Sequence, residues 1–242
     1  IKQVADTEAR IALQGDRKSI EIENKYNMNF FDEFAVEEAI RIREKLKAGQ
    51  VTACTLGGKR AIEALRTAVA MGADRAVLID DGAVAADDPL IVAKVLAAFA
   101  RQESCDLVLC GRQAIDDESG LVGIMVAEFM GIPHVSSVLK ADRLAEGLMR
   151  VEAEIEGGRA VFDVRLPALL TAQKDLNTPR VPMITGVMKA MKAAIPVVDP
   201  LSLGLEGADI GKDASKTPAV LYDTKPSRPP VKMIEGETPE EK

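Results

Sequence analysis

The sequence predicts an α/β protein: an open, mostly parallel sheet with helices on both faces, lengthened by an antiparallel extension and ending in an irregular C-terminal arm. Three observations carry this reading. Strand-like and helix-like segments alternate through the first half of the chain. After Pro133 the helical period gives way to strand-like runs separated by Gly-containing turns. Beyond Asn177, prolines recur at 179, 182, 196, 200, 218, 226, 229 and 230, and such a segment has no packed core of its own.

Each element rests on its pattern. Over residues 32–47 the apolar positions Phe34, Ala35, Ala39, Ile42 and Leu46, with Phe31 just before them, follow the helical period, with charges on the other face. Residues 51–56 read as a short buried strand, turned by Gly57-Gly58 into a helix over about 60–71. Gly72-Ala73-Asp74 ends that helix, and 76–79 is the next buried strand. A helix follows from Pro89 to about Arg101, a strand over 107–110, a loop over 111–120 and a helix to about Met130. The later strands fall at 135–139, 149–156, 160–166 and 167–171.

Composition narrows the function. The chain has 242 residues, 47% of them hydrophobic, and a net charge of −7. The charge argues against nucleic-acid binding, which needs a basic face. The apolar runs are far shorter than the roughly 20 residues of a membrane-spanning helix, and no signal-peptide pattern is visible. Cys54, Cys105 and Cys110 lie in apolar stretches with no metal-site spacing, as expected of reduced thiols in a cytoplasmic protein. His134 is the lone histidine. With no GxSxG nucleophile sequence, neither a catalytic triad nor a His-based metal site is expected.

In an open parallel sheet, ligands sit beyond the carboxyl ends of the strands. Residues 4–7, 55–58 and 111–122 fall there. The last reads Gly111-Arg112-Gln113-Ala114-Ile115-Asp116-Asp117-Glu118-Ser119-Gly120-Leu121-Val122. It leaves a buried strand and enters a helix, whose free N–H groups form an anion site. Gly120 and Gly123 would let a phosphate approach the backbone. The acidic triplet is unsuited to holding a phosphate and is expected to cap the helix or to hold the loop by hydrogen bonds. The chain contains neither GxxxxGK[ST] nor GxGxxG. The charges of the 32–47 helix are read mostly as a solvated face, and Asn29 just before it as a site residue.

Gly111-Arg112-Gln113-Ala114-Ile115-Asp116-Asp117 closely resembles the nucleotide-loop motif of electron-transfer flavoprotein β subunits. Four further blocks resemble the same family in the same order. They are Ile1-Lys2-Gln3-Val4 with Asp6-Thr7, the 29–39 segment from Asn29 to Ala39, the 68–75 segment from Ala68 to Arg75, and Leu176-Asn177-Thr178-Pro179-Arg180 followed by Val187-Met188-Lys189-Ala190. The resemblance spans nearly the whole chain.

That resemblance implies a Rossmann-like, adenine nucleotide α-hydrolase-like fold. It implies a nucleotide-binding domain over 1–180, and a partner-recognition loop and arm over 181–242 that wraps an α subunit. The family works as an αβ heterodimer without catalytic residues of its own in the β subunit. The α subunit makes most contacts to an FAD, which takes electrons from acyl-CoA-type dehydrogenases and passes them to a quinone-linked membrane acceptor. The β subunit holds AMP or, in electron-bifurcating members, a second FAD. Carried over by position, the nucleotide contacts are Asn29, Thr55, Leu56, Gly57, Ala114, Asp117 and the backbone of Gly120, Leu121 and Val122. Ile184 stands where the family places a leucine anchor that enters a hydrophobic pocket on the dehydrogenase; Met183, Lys189 and Lys192 accompany it. Many AMP-type members carry Asn-Gln-Thr where this chain has Gly120-Leu121-Val122, so phosphate binding must rest on backbone N–H groups. Arg112 and Asn177-Thr178-Pro179-Arg180 are similar to bifurcating members, Asp117-Glu118 and Met188-Lys189-Ala190 to AMP members. AMP is the reading taken and a second FAD the alternative. A nucleotide-sensing regulator of the stress-protein kind would leave the long arm without a purpose. A hydrolase or ligase would need a phosphate-transfer apparatus that the sequence does not offer.

Overall fold

The computed structural model describes residues 1–224, 226 and 228–231; the remainder of the arm expected over 181–242 lies outside the described residues. Four short strands come first: β1 (Gln3–Ala5), β2 (Ile11–Leu13), β3 (Ile20–Ile22) and β4 (Tyr26–Met28). β1 pairs antiparallel with β4, and β2 with β3. Then come α1 (Phe30–Leu46), β5 (Thr52–Gly57), a short 3-10 turn (Lys59–Ala61), α2 (Ile62–Met71), β6 (Arg75–Asp80), α3 (Pro89–Gln102), β7 (Leu107–Gly111) and α4 (Val122–Met130). The predicted alternation is all present. α1 carries Asp32 and Glu33 in its first turn and Arg43 and Lys45 in its last, the arrangement that a helix dipole favours.

β6 shows why this region is legible as a buried strand. Its Ala76 and Leu78 pack with α2 and α1, whereas Val77 and Ile79 pack with α3. A strand covered on both faces reads as one unbroken apolar run. β6 pairs parallel with β5 on one side and with β12 (Val197–Val198) on the other.

The second half forms β8 (His134–Ala145), β9 (Leu148–Ile155), β10 (Gly158–Arg165) and β11 (Ala168–Ala172). β8, β9 and β10 make the expected antiparallel extension, and β11 lies parallel between β7 and β8. Phe34 and Ala35 of α1 pack on it, against Val138, Val151 and Leu170.

Two expectations change. The strands form two main sheets, β12-β6-β5 and β10-β9-β8-β11-β7, and the one continuous sheet is interrupted between β5 and β7. The region after Asn177 is also not irregular throughout. It carries α5 (Ile184–Lys192), β12 and the short α6 (Gly207–Ile210). Ala190 of α5 is buried in the core beside α2, and Ile210 of α6 in the core beside α3. Burial against finished elements makes up for the weak local propensity of this segment. Among the described residues, no helix is long and apolar enough to cross a membrane.

Asp88 fastens the next stretch. It caps α3 by accepting from the Leu90 amide at 2.9 Å, and its other oxygen accepts from Ser215 Oγ and the Lys216 and Thr217 amides. Burial pulls the Asp88 carboxyl up, but these donors outweigh it and hold it down to about 2, below its ordinary 3.8. A group depressed on folding contributes fully above its unfolded value, and its contribution fades as pH falls through the folded one. Asp88 should therefore supply roughly 2 kcal/mol at neutral pH, lost between about pH 4 and pH 2. Urea titrations of wild type and Asp88→Asn across that window check this: the variant should be less stable at pH 7 and its stability flatter below pH 4. Parallel curves would overturn it.

Candidate nucleotide site

The site is assembled at the carboxyl ends of β5 and β7. Asn29, immediately before α1, is 1% exposed. Its Nδ2 donates to the Gln113 carbonyl at 2.9 Å and its Oδ1 accepts from the Ile115 amide at 3.0 Å. One side chain thus holds both sides of Ala114. Asp117 Oδ1 accepts from the Ser119 amide at 3.0 Å, and Asp116 Oδ1 from the Asp117 amide at 2.9 Å. Of the two expected roles of the acidic residues, these bonds fit holding the loop. α4 has no side-chain cap, and Leu121 stands at its N-cap position.

Lys2 offsets the acidic charge. Its ammonium lies 2.8 Å from Asp116 and 3.0 Å from Asp117. Burial works to pull the Asp117 carboxyl up, but the Ser119 amide and Lys2 outweigh it and leave it lowered. The Lys2 ammonium is raised, because Asp116 and Asp117 outweigh the opposing effect of burial.

Gly120 has φ +63°, a conformation that suits glycine at the turn into α4. Gly123 has a packing role that the sequence reading did not include. A Cβ there would lie 2.7 Å from Cys110 Sγ and 3.1 Å from Thr171 Cγ2, so this glycine lets α4 pack closely on β7 and β11.

Thr55 is buried, Leu56 packs into the core beside α3, and Gly57 ends β5. Among the described residues, no hydrogen bond runs directly from 55–57 to the 111–122 loop. The two are linked through the chain start: the Ile1 amino group donates to the Cys54 carbonyl at 2.9 Å, while Lys2 reaches the loop. A cavity of about 270 Å³ beside the loop is lined by Asp6, Thr7, Tyr26, Glu33, Glu63 and Ile115 among others. Its carboxylates suit hydroxyl and amino groups and repel a phosphate.

Lys2 and Asp32 were not singled out as site residues. Asp32 accepts from the Lys2 amide at 2.6 Å and from the Gly111 amide at 2.7 Å. Three acidic side chains of α1, Asp32, Glu37 and Glu38, are buried, where a solvated face was expected for most of the helix's charges. Burial raises the Glu38 carboxyl against the lowering effect of Asn177. The thiols of Cys54 and Cys110 are pushed up to about 12, chiefly by burial, which makes them poor nucleophiles.

The residues expected to dock a partner gather on α5. The reading of Ile184 as part of a loop is corrected: it opens the first turn of this helix. Ile184, Met188 and Met191 recur at helical spacing and are 80%, 54% and 70% exposed. Met183 stands just before them, and Lys189 and Lys192 are exposed on the same short helix.

The profile of the family described as "Electron transfer flavoprotein domain" matches residues 18–203. The chain is 40% identical over 213 residues to "Electron transfer flavoprotein subunit beta" of Homo sapiens, covering 85% of this chain and 82% of that protein. It is 38% identical over 245 residues to the protein of that name in Sus scrofa, covering 100% and 92%. With the one in Thermoanaerobacterium thermosaccharolyticum it shares 40% identity over 226 residues, covering 93% and 86%. A match of this length and identity shows the family: the chain belongs to the electron transfer flavoproteins, as a subunit of the β type in an electron-carrying flavoprotein.

Proposed function

We propose that this chain binds AMP as a structural nucleotide in a cytoplasmic heterodimer, and helps its α-subunit partner shuttle electrons from an acyl-CoA-type dehydrogenase to a quinone-linked acceptor. It performs no bond-making chemistry by itself. The observation that carries the reading is the double hold of Asn29 on Gln113 and Ile115. It fixes the loop that leads into the uncapped start of α4. The N–H groups of Gly120, Leu121 and Val122 then receive the phosphate, as helix starts do. Thr55, Leu56, Gly57, Ala114 and Asp117 surround the rest of the nucleotide. FAD lies with the α subunit. The chain beyond residue 180 is offered to partners: α5 through Met183, Ile184, Lys189 and Lys192, and the tail through the exposed Val220, Leu221 and Val231.

The test is the nucleotide content of the purified heterodimer, released by denaturation and identified by mass spectrometry. One FAD and one AMP per heterodimer are expected. Two FAD and no AMP would replace this reading with the electron-bifurcating one, and no adenine nucleotide besides FAD would remove the site.

A further inference from the structure

The loop that leads to the proposed phosphate position is acidic. Asp116, Asp117 and Glu118 follow one another shortly before Gly120, Leu121 and Val122, and carboxylates beside a phosphate weaken its binding by like-charge repulsion. Two of the three meet a cation: the Lys2 ammonium lies 2.8 Å from Asp116 and 3.0 Å from Asp117. Arg112, the loop's own cation, is exposed and pairs with none of the three among the described residues.

Lys2 is held in place by bonds that do not involve the loop. Its amide donates to Asp32 at 2.6 Å, and its carbonyl accepts from the Asn29 amide at 2.9 Å. The Asn29 side chain grips Gln113 and Ile115. The corner before α1 therefore fixes both the loop and the residue that carries its counter-charge. As a fastening, the ion pairs are weak: all three side chains are more than a third exposed, and exposed pairs add little to stability. The loop already has a buried tie in Asn29. What Lys2 adds is a charge, and a charge acts on a ligand within about a Debye length.

We propose that Lys2 determines phosphate recognition at this site: it offsets Asp116 and Asp117, so that a loop with three carboxylates can accept an anion, and it makes affinity depend on the charge of the ligand. The inference rests on the reading of the loop as a nucleotide site and names the residue that sets its selectivity.

The full heterodimer, dialysed free of adenine nucleotide, is titrated calorimetrically with adenosine, AMP and ADP at low ionic strength. Lys2→Met should leave adenosine binding unchanged, weaken AMP about three- to tenfold and weaken ADP further, because the loss follows ligand charge. It should shrink as salt is raised. Lys2→Arg should behave as wild type. Lys2→Met/Asp116→Asn restores the original net charge and keeps an Oδ1 acceptor for the Asp117 amide, so it should recover AMP affinity. Equal losses for all three ligands, or no recovery in the double variant, would overturn the proposal, since Lys2 would then only hold the shape of the loop. Unchanged AMP affinity in Lys2→Met would overturn it as well. If the wild type takes a second FAD and not AMP, the AMP reading fails by itself, and Lys2→Met is judged on FAD against adenosine in the same way. A wild type that takes no nucleotide would remove both.

Discussion

Replacing Asn29 with alanine should lower folding stability by about 2–4 kcal/mol and release the bound nucleotide. Asn29 is buried and bonds two backbone groups of the 111–122 loop, the Gln113 carbonyl and the Ile115 amide. Removing one partner of a buried hydrogen bond costs about 1–3 kcal/mol per orphaned group. The remaining ties do not make up the loss. The pairs of Lys2 with Asp116 and Asp117 are more than a third exposed at each end, and exposed ion pairs contribute about 0–1 kcal/mol. Asn29→Asp keeps the acceptor for Ile115 but sets a buried carboxylate oxygen against the Gln113 carbonyl, so it should be no more stable than alanine at neutral pH. Urea midpoints and extracted nucleotide, measured on the same preparations, decide the matter. An unchanged midpoint in Asn29→Ala would take the loop out of this residue's hands.

Truncating Ile184 to alanine should weaken dehydrogenase docking about ten- to fifty-fold while leaving the fold alone. The side chain is 80% exposed, and surface changes away from packed features stay within about 0.5 kcal/mol. In a partner's pocket the same change removes two to three methylene equivalents, at about 0.8 kcal/mol each. That corresponds to the stated range of affinity. Electron transfer from a cognate dehydrogenase, at limiting carrier, reads the effect. Flavin and AMP content should not move, because the Ile184 side chain is 80% exposed and is not among the residues assigned to the nucleotide. Unchanged transfer would sink the anchor assignment, as would a variant that sheds its flavin.

The elements from α1 to α4 were legible because each reports its own burial. The run 76–79 in β6 and the Pro89 start of α3 carry their signals locally. α5 was not legible. Pro179, Pro182 and Pro196 bracket it and Gly186 sits inside it, so propensity argues against a helix. What forms it is tertiary: Ala190 is buried against α2, and Arg66 of α2 donates to the Ala190 carbonyl. In the candidate site, Asn29 and the loop it holds stand in a recognisable motif. Lys2 and Asp32 were not legible as part of it. Lys2 meets Asp116 from 114 residues away, and Asp32 reads as an ordinary acidic residue in a helix first turn. The packing role of Gly123 was not legible, because a glycine needed for close packing and one needed for a ligand look alike in sequence.

For the docking role proposed for α5, the way it is rooted bears on how fast a partner can come and go. Arg180, just ahead of it, grips Glu37 at 2.7 Å and Glu44 at 2.8 Å. Asn177 is tied to the Phe34 carbonyl and to Glu38. Within the helix, Gly186 meets the Ala70 backbone so closely that any side chain would collide with it. The helix is thus clamped before anything touches it, while Ile184, Met188 and Met191 stay in solvent. A preorganised surface loses little conformational freedom on contact. A small patch can then suffice for recognition, and with little area to peel apart, release stays rapid. A mobile loop bearing the same side chains would need a larger footprint for the same affinity. It would hold each partner longer, which a shuttle that must leave one protein to reach the next can ill tolerate.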